Sequence, residues 1–176
     1  YDKFKEGIIE NAFNPEFSNG ALMDIGVYCV HPLVRLFGMP KKIIADSLLL
    51  SNGVEGAGTI LASYDGMQAE LLYSKITNNR LPSQIQGEDG TLVIDNITNI
   101  CSVVFHDRKG NAETVIELPP EHSLEGEVKD WLRMIATGEG VREDNECSLM
   151  ELRVMDEARR QAGIVFPADL RKITGC

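Results

Sequence analysis

Paired metal ligands are missing from this chain. Its four cysteines stand at 29, 101, 147 and 176 and its three histidines at 31, 106 and 122. None shows the short spacing that a zinc site uses, so no metal centre is expected. Isolated thiols of this kind fit a reducing cytoplasm. No apolar run approaches the roughly 20 residues of a membrane span, and no signal peptide is visible, so a membrane partner is not expected. Positive charge is scarce. Seventeen Lys and Arg stand against 27 Asp and Glu, giving a net charge of −10. That leaves no basic patch to neutralise phosphates and argues against nucleic acid as a partner. Missing too are a Gly-x-Gly-x-x-Gly between strand and helix, a Walker loop and a serine nucleophile elbow. The chain thus carries no dinucleotide site of its own. Gly87-Glu88-Asp89-Gly90 has glycines, but its two acids would repel a phosphate, and it reads as a turn between strands.

What the chain does have is one stretch of concentrated information, Asn19 to Gly38. At about 100° per residue, Asp24, Tyr28, His31 and Arg35 fall on one narrow helical stripe. Leu22, Ile25, Cys29, Leu33, Leu36 and Phe37 lie opposite, and Met23, Val27, Val30 and Val34 cover a flank. A helix so widely apolar is expected to be buried. Its polar seam must then face an internal network or a wetted cleft, because buried polar groups are costly without partners. Pro32 lacks an N–H and crowds the Tyr28 carbonyl, which predicts a kink or break beside the seam. Spacing alone leaves the seam open between a structural network and a functional site.

The rest of the chain is arranged around that helix. Phe4, Ile8 and Ile9 suggest a short helix before Asn14-Pro15. Strands are expected at 42–50, 59–64, 67–76, 84–87, 91–95, 100–106 and 113–118, with Asp65-Gly66 as a tight hairpin turn. Two helices close the chain. One has Ser123 as N-cap and an apolar face of Leu124, Val128, Trp131, Leu132 and Ile135, with Gly138 as its stop. The other opens on a Ser148–Glu151 capping box, lines one side with Leu149, Leu152, Met155, Ala158 and Ala162, and stops at Gly163. Helix, strands, then helices is an α+β order: an open, mainly antiparallel sheet with helices packed on one face. All 176 residues read as a single domain. Thr59-Ile60-Leu61-Ala62 and Leu71-Leu72-Tyr73 are nearly continuously apolar, which points to a partner on the free sheet face.

Gly20-Ala21-Leu22-Met23-Asp24-Ile25-Gly26-Val27-Tyr28 resembles the helix motif of the Gfo/Idh/MocA oxidoreductases, in particular the subgroup of glucose–fructose oxidoreductase and dimeric dihydrodiol dehydrogenase. The likeness continues through Gly87-Glu88-Asp89-Gly90-Thr91-Leu92 and the closing Val154–Gln161 segment. It covers only the C-terminal half of such an enzyme. It implies a glyceraldehyde-3-phosphate dehydrogenase-like fold and a substrate-binding domain. NAD or NADP would be bound mainly by an N-terminal Rossmann domain that is absent from this chain, which begins at Tyr1 as a fragment or processed protein would. The open sheet face would form a homo-oligomer. The substrate would be a small carbohydrate-like molecule: a sugar, polyol or dihydrodiol.

By the same resemblance, Tyr28 stands where many members carry a catalytic His and this subgroup a Tyr. Asp24 matches the motif Asp one turn earlier. His31 lies near a second Asp of inositol-dehydrogenase-like members, which makes it a candidate substrate contact and argues against an inositol. Ser18-Asn19 replaces glycines that usually precede the helix. A phenol is mostly protonated at neutral pH, so acting as a base requires a nearby ammonium. The resemblance assigns that cation to a lysine of the N-terminal domain. Tyr28 would then be the general acid/base and Asp24 its orienting partner. The chain alone is expected to be inactive. The alternative is a noncatalytic dimerisation or ligand-sensing module on the same fold.

Overall fold

The computed structural model describes residues 1–119 and 124–170. They form two compact units, one of residues 1–78 and 144 onward, the other of residues 79–143. The first unit opens on a four-residue helix, α1 (Asp2–Lys5). Ile8 and Ile9 lie beyond it and are exposed, so the expected helix ends before them. A π-helical turn (Leu22–Gly26) runs directly into α2 (Val27–Phe37).

Pro32 breaks nothing. Helix α2 passes unbroken through it, and the irregularity lies a turn earlier, in the wide π turn. Three antiparallel strands follow, β1 (Lys42–Leu49), β2 (Glu55–Ser63) and β3 (Gln68–Ser74), in the order β1-β2-β3. The pairing Ala45↔Ile60↔Leu71 fixes which side chains share a face. Ile43, Ile60, Ala62 and Tyr73 point to one side. There they join Val30, Leu33 and Val34 of α2 and Cys147, Val154, Met155 and Ala158 of helix α4 (Val141–Gln161) in one core. The buried stripe of the first helix thus lies opposite the seam. Leu36 and Phe37, expected inside, are exposed at its C-terminal end.

The other face of this sheet is open. Ile44, Leu48 and Leu72 are each more than half exposed on it. Gln161 guards the free edge of β1, accepting from the Ala45 N–H at 2.9 Å and donating to the Ile43 carbonyl at 3.1 Å, much as a neighbouring strand would.

Helix α4 corrects one expectation. It starts at Val141, immediately after Gly140 at φ +84°, so Ser148 sits inside the helix and caps nothing. Residues three apart also share a face within a running helix, so the spacing was ambiguous. Leu149 and Leu152 accordingly face outward and Cys147 and Val154 inward.

The second unit is a four-stranded antiparallel sheet in the order β4-β5-β6-β7. Its strands are β4 (Ser83–Gln86), β5 (Gly90–Ile94), β6 (Ser102–Asp107) and β7 (Ala112–Glu117). The expected α+β order with antiparallel strands is present, divided between two sheets. Asn78 to Pro82 separates them, and Pro82 has no N–H to continue a ladder. Helix α3 (Glu125–Thr137) ends on Gly138 in the left-handed conformation, as expected. Its apolar face, Leu124 to Ile135, stays exposed, Trp131 by 62%. The Ser123 cap lies outside the described residues. A last short helix, α5 (Pro167–Leu170), belongs to the first unit.

Candidate active site

The polar seam faces outward along the π turn and α2. Tyr28 is 47% exposed, and its phenol pairs with no other described residue. His31 and Arg35, one and two turns on, are also exposed. Each is tied to α4: His31 Nδ1 lies 2.7 Å from Glu151 Oε2, and Arg35 lies 2.8 Å from Asp144. A carboxylate accepts, so in the neutral imidazole Nδ1 carries the hydrogen and Nε2 is left as an acceptor. The structure therefore leaves Tyr28 and His31 exposed one turn apart on α2, with His31 oriented from within the chain, and Asp24 half-buried in the π turn before them.

Asp24 has a partner that sequence reasoning missed. Lys75 donates a short, charge-assisted hydrogen bond from Nζ to Asp24 Oδ2, with side chains 26% and 38% exposed respectively. Lys75 follows the end of β3, and its N–H donates to the Gly56 carbonyl at 2.8 Å. The signal was present in the alternation. Ala69, Leu71 and Tyr73 point to the helix-covered side of β3, and Lys75 is the next residue in that series. The site thus has a cation of its own beside Asp24.

The ground under the π turn is equally specific. Gly26 lies flat on Tyr73, where a Cβ would come within 3.2 Å of the ring. Burial pushes the Tyr73 phenol up, and its hydroxyl is within 3.1 Å of Ser47 Oγ. At the start of the turn, the Leu22 N–H donates to Glu55 Oε1 at 2.9 Å. Glu55 is only 1% exposed, and burial raises its pKa above the ordinary carboxylate range, against the opposing pull of that hydrogen bond. Its Oε2 has no partner.

A β-bulge explains why counting residues missed Glu55. Leu48 pairs with Ala57 but Leu49 with Glu55, so Gly56 is an extra residue in β2. A strict period of two would put Glu55 with Ala57 and Thr59 on the open face. The bulge turns it to the helix side.

The Gly87–Gly90 segment is closed by a Gly87 N–H bond to the Gly90 carbonyl at 2.8 Å, the tight turn its sequence implied. No group of three or more His, Cys, Asp or Glu capable of holding a metal occurs among the described residues. No described helix is long and apolar enough to cross a membrane.

Residues 5–93 match the model of the GFO/IDH/MocA C-terminal domain. Over 171 residues, 96% of its length, the chain is 46% identical to a scyllo-inositol 2-dehydrogenase (NADP(+)), IolU, of Bacillus subtilis. It is 25% identical over 177 residues, 92% of the chain, to a trans-1,2-dihydrobenzene-1,2-diol dehydrogenase of Danio rerio. The chain spans about half the length of these curated relatives, 52% of each. Among solved structures, an aldose–aldose oxidoreductase of Caulobacter crescentus complexed with glycerol superposes with a TM-score of 0.65 at 21% identity. That match covers 82% of this chain and 45% of the other, and supports the shared fold.

Proposed function

Because the chain belongs to the GFO/IDH/MocA family, as its C-terminal domain, we propose that it forms the substrate-facing half of an NAD(P)-dependent oxidoreductase acting on a sugar, polyol or dihydrodiol alcohol. The observation that carries this reading is the outward seam of Asp24, Tyr28 and His31 on a helix held to the sheet by Lys75. A nicotinamide cofactor held mainly outside this chain supplies the hydride acceptor. The chain's own residues manage the proton. Tyr28 takes it from the substrate hydroxyl in oxidation and returns it to the carbonyl oxygen in reduction. Asp24, fixed by Lys75, accepts a hydrogen bond from a neighbouring hydroxyl and so orients the substrate. His31 offers Nε2 to another hydroxyl while Glu151 sets the ring plane.

The relative with 46% identity is named for an inositol, so cyclic polyols stay within the proposed substrate class despite His31. NAD versus NADP is set in the cofactor-binding half. The open face around Ile44, Leu48 and Leu72 is offered as a homo-oligomer surface of this single substrate-binding domain in the cytoplasm. No observation favours the noncatalytic module over the enzyme: Tyr28 and Asp24 are both present and accessible.

The test is an assay of the full-length protein for substrate-dependent reduction of NAD or NADP. The panel holds scyllo-inositol, aldoses and a trans-dihydrodiol. Turnover of at least one class is expected. Cofactor binding without turnover of any would favour the sensing module.

A further inference from the structure

We propose that Glu55 is a positioning residue for Asp24 and Tyr28, a remote helix anchor that the β2 bulge aims at the first residue of the π turn. The inference rests on the reading of Tyr28 and Asp24 given above.

Three observations converge on it. First, the residues just before the turn leave the Leu22 N–H to a distant group. Ser18 is left-handed at φ 52°, and the Asn19 side chain is spent on the Gly20 N–H at 2.9 Å. The Leu22 N–H therefore goes to a carboxylate 33 residues away, on the sheet. Second, space is reserved for that carboxylate. Gly20 adopts φ +153°, and a Cβ there would lie 2.1 Å from Glu55 Oε2. Any side chain at position 20 would evict Glu55. Third, one bulge serves both anchors. The extra residue Gly56 follows Glu55 directly, and its carbonyl accepts from the Lys75 N–H. Glu55 thus grips the turn at Leu22 while Lys75 grips it at Asp24, two residues on.

A two-point hold suits this particular turn. π-helical geometry is uncommon and persists where surrounding structure imposes it. With Leu22 and Asp24 both fixed to the sheet, the direction of Tyr28, one turn later, is set relative to Lys75. Releasing Leu22 would let the turn tighten toward a regular helix and swing Tyr28 around the axis. Misplacement of a reacting group by about 1 Å costs on the order of a hundredfold in rate. The buried, unpartnered Oε2 favours a neutral carboxyl, which a glutamine reproduces while keeping the acceptor for Leu22.

The experiment compares Glu55→Ala, Glu55→Gln and Glu55→Asp with Tyr28→Phe in the full-length protein. It uses the substrate found in the screen and checks folding by circular dichroism. Folded Glu55→Ala is expected to lose about 10–100-fold in kcat with KM changed less than about threefold. Glu55→Gln should rescue turnover to within about twofold of the parent. If Glu55→Ala does not fold, Glu55→Asp stands in for it, with its carboxylate drawn back by one bond and an expected loss of about tenfold. Folded Glu55→Ala, or Glu55→Asp where it stands in, within about twofold of the parent would make Glu55 an ordinary helix cap and overturn the inference. Equal losses for Ala and Gln would also overturn it, by removing the Leu22 hydrogen bond as the cause. Should Tyr28→Phe keep full turnover, the underlying site assignment fails instead.

Discussion

The ion pair between Lys75 and Asp24 admits a quantitative test by a double-mutant cycle of Lys75→Met, Asp24→Asn and the pair. Both side chains are largely withdrawn from water, at 26% and 38% exposure, so the pair stands between an exposed salt bridge and a buried one. Two unit charges about 4 Å apart attract by about 4 kcal/mol at an effective dielectric of about 20. Partial desolvation and the ordering of the long lysine chain cancel part of that. Exposed pairs couple by about 0.2–1 kcal/mol, and breaking one partner of a buried pair costs about 3–5 kcal/mol. A coupling energy of about 1–2 kcal/mol follows. Urea unfolding of the four proteins measures it as the departure from additivity. Because the pair is partly shielded, about 1 M salt should reduce the coupling without abolishing it. A coupling within about 0.3 kcal/mol of zero would refute the reasoning and reduce Lys75 to a surface lysine.

Other consequences are as direct. Burial holds the Glu55 proton more tightly in the folded state than in the unfolded one. Its contribution is therefore fully present below the ordinary carboxylate range and is lost as pH rises from there through the raised folded value. Glu55→Gln should gain stability over the parent across that window; a pH-independent difference in urea unfolding would contradict this. Ile60, fully buried in the middle strand, should cost about 2–5 kcal/mol when cut to alanine. A loss below about 1 kcal/mol would show that the core is elsewhere. For the proposed homo-oligomer, Ile44→Asp with Leu72→Asp should dissociate it while leaving the first unit folded, as read by sedimentation velocity and circular dichroism. An unchanged sedimentation coefficient would remove the open face as its interface.

Much of the fold was legible because its signals are local. Period-two alternation and the Asp65-Gly66 turn placed the strands to within a few residues. Of the helix stripe, Tyr28, His31 and Arg35 lie exposed along α2, while Asp24 sits half-buried in the π turn before it. What the residues could not reveal depends on distant contacts. Glu55 reads as an outward strand residue until the bulge at Gly56 reverses it. Glu151 reads as half of a capping box until His31 claims it. Lys75 was visible in the alternation, but its partner Asp24 lies 51 positions away. Pro32 promised a kink that the helix absorbs, while the π turn had no sequence signal of its own.

The central claim is that Tyr28 exchanges the substrate proton. The measurement that bears on it most directly is kcat of Tyr28→Phe in the full-length protein, with cofactor affinity measured alongside. The account predicts a fall of roughly 10²–10⁴-fold with cofactor affinity unchanged. Turnover close to the parent's would contradict it.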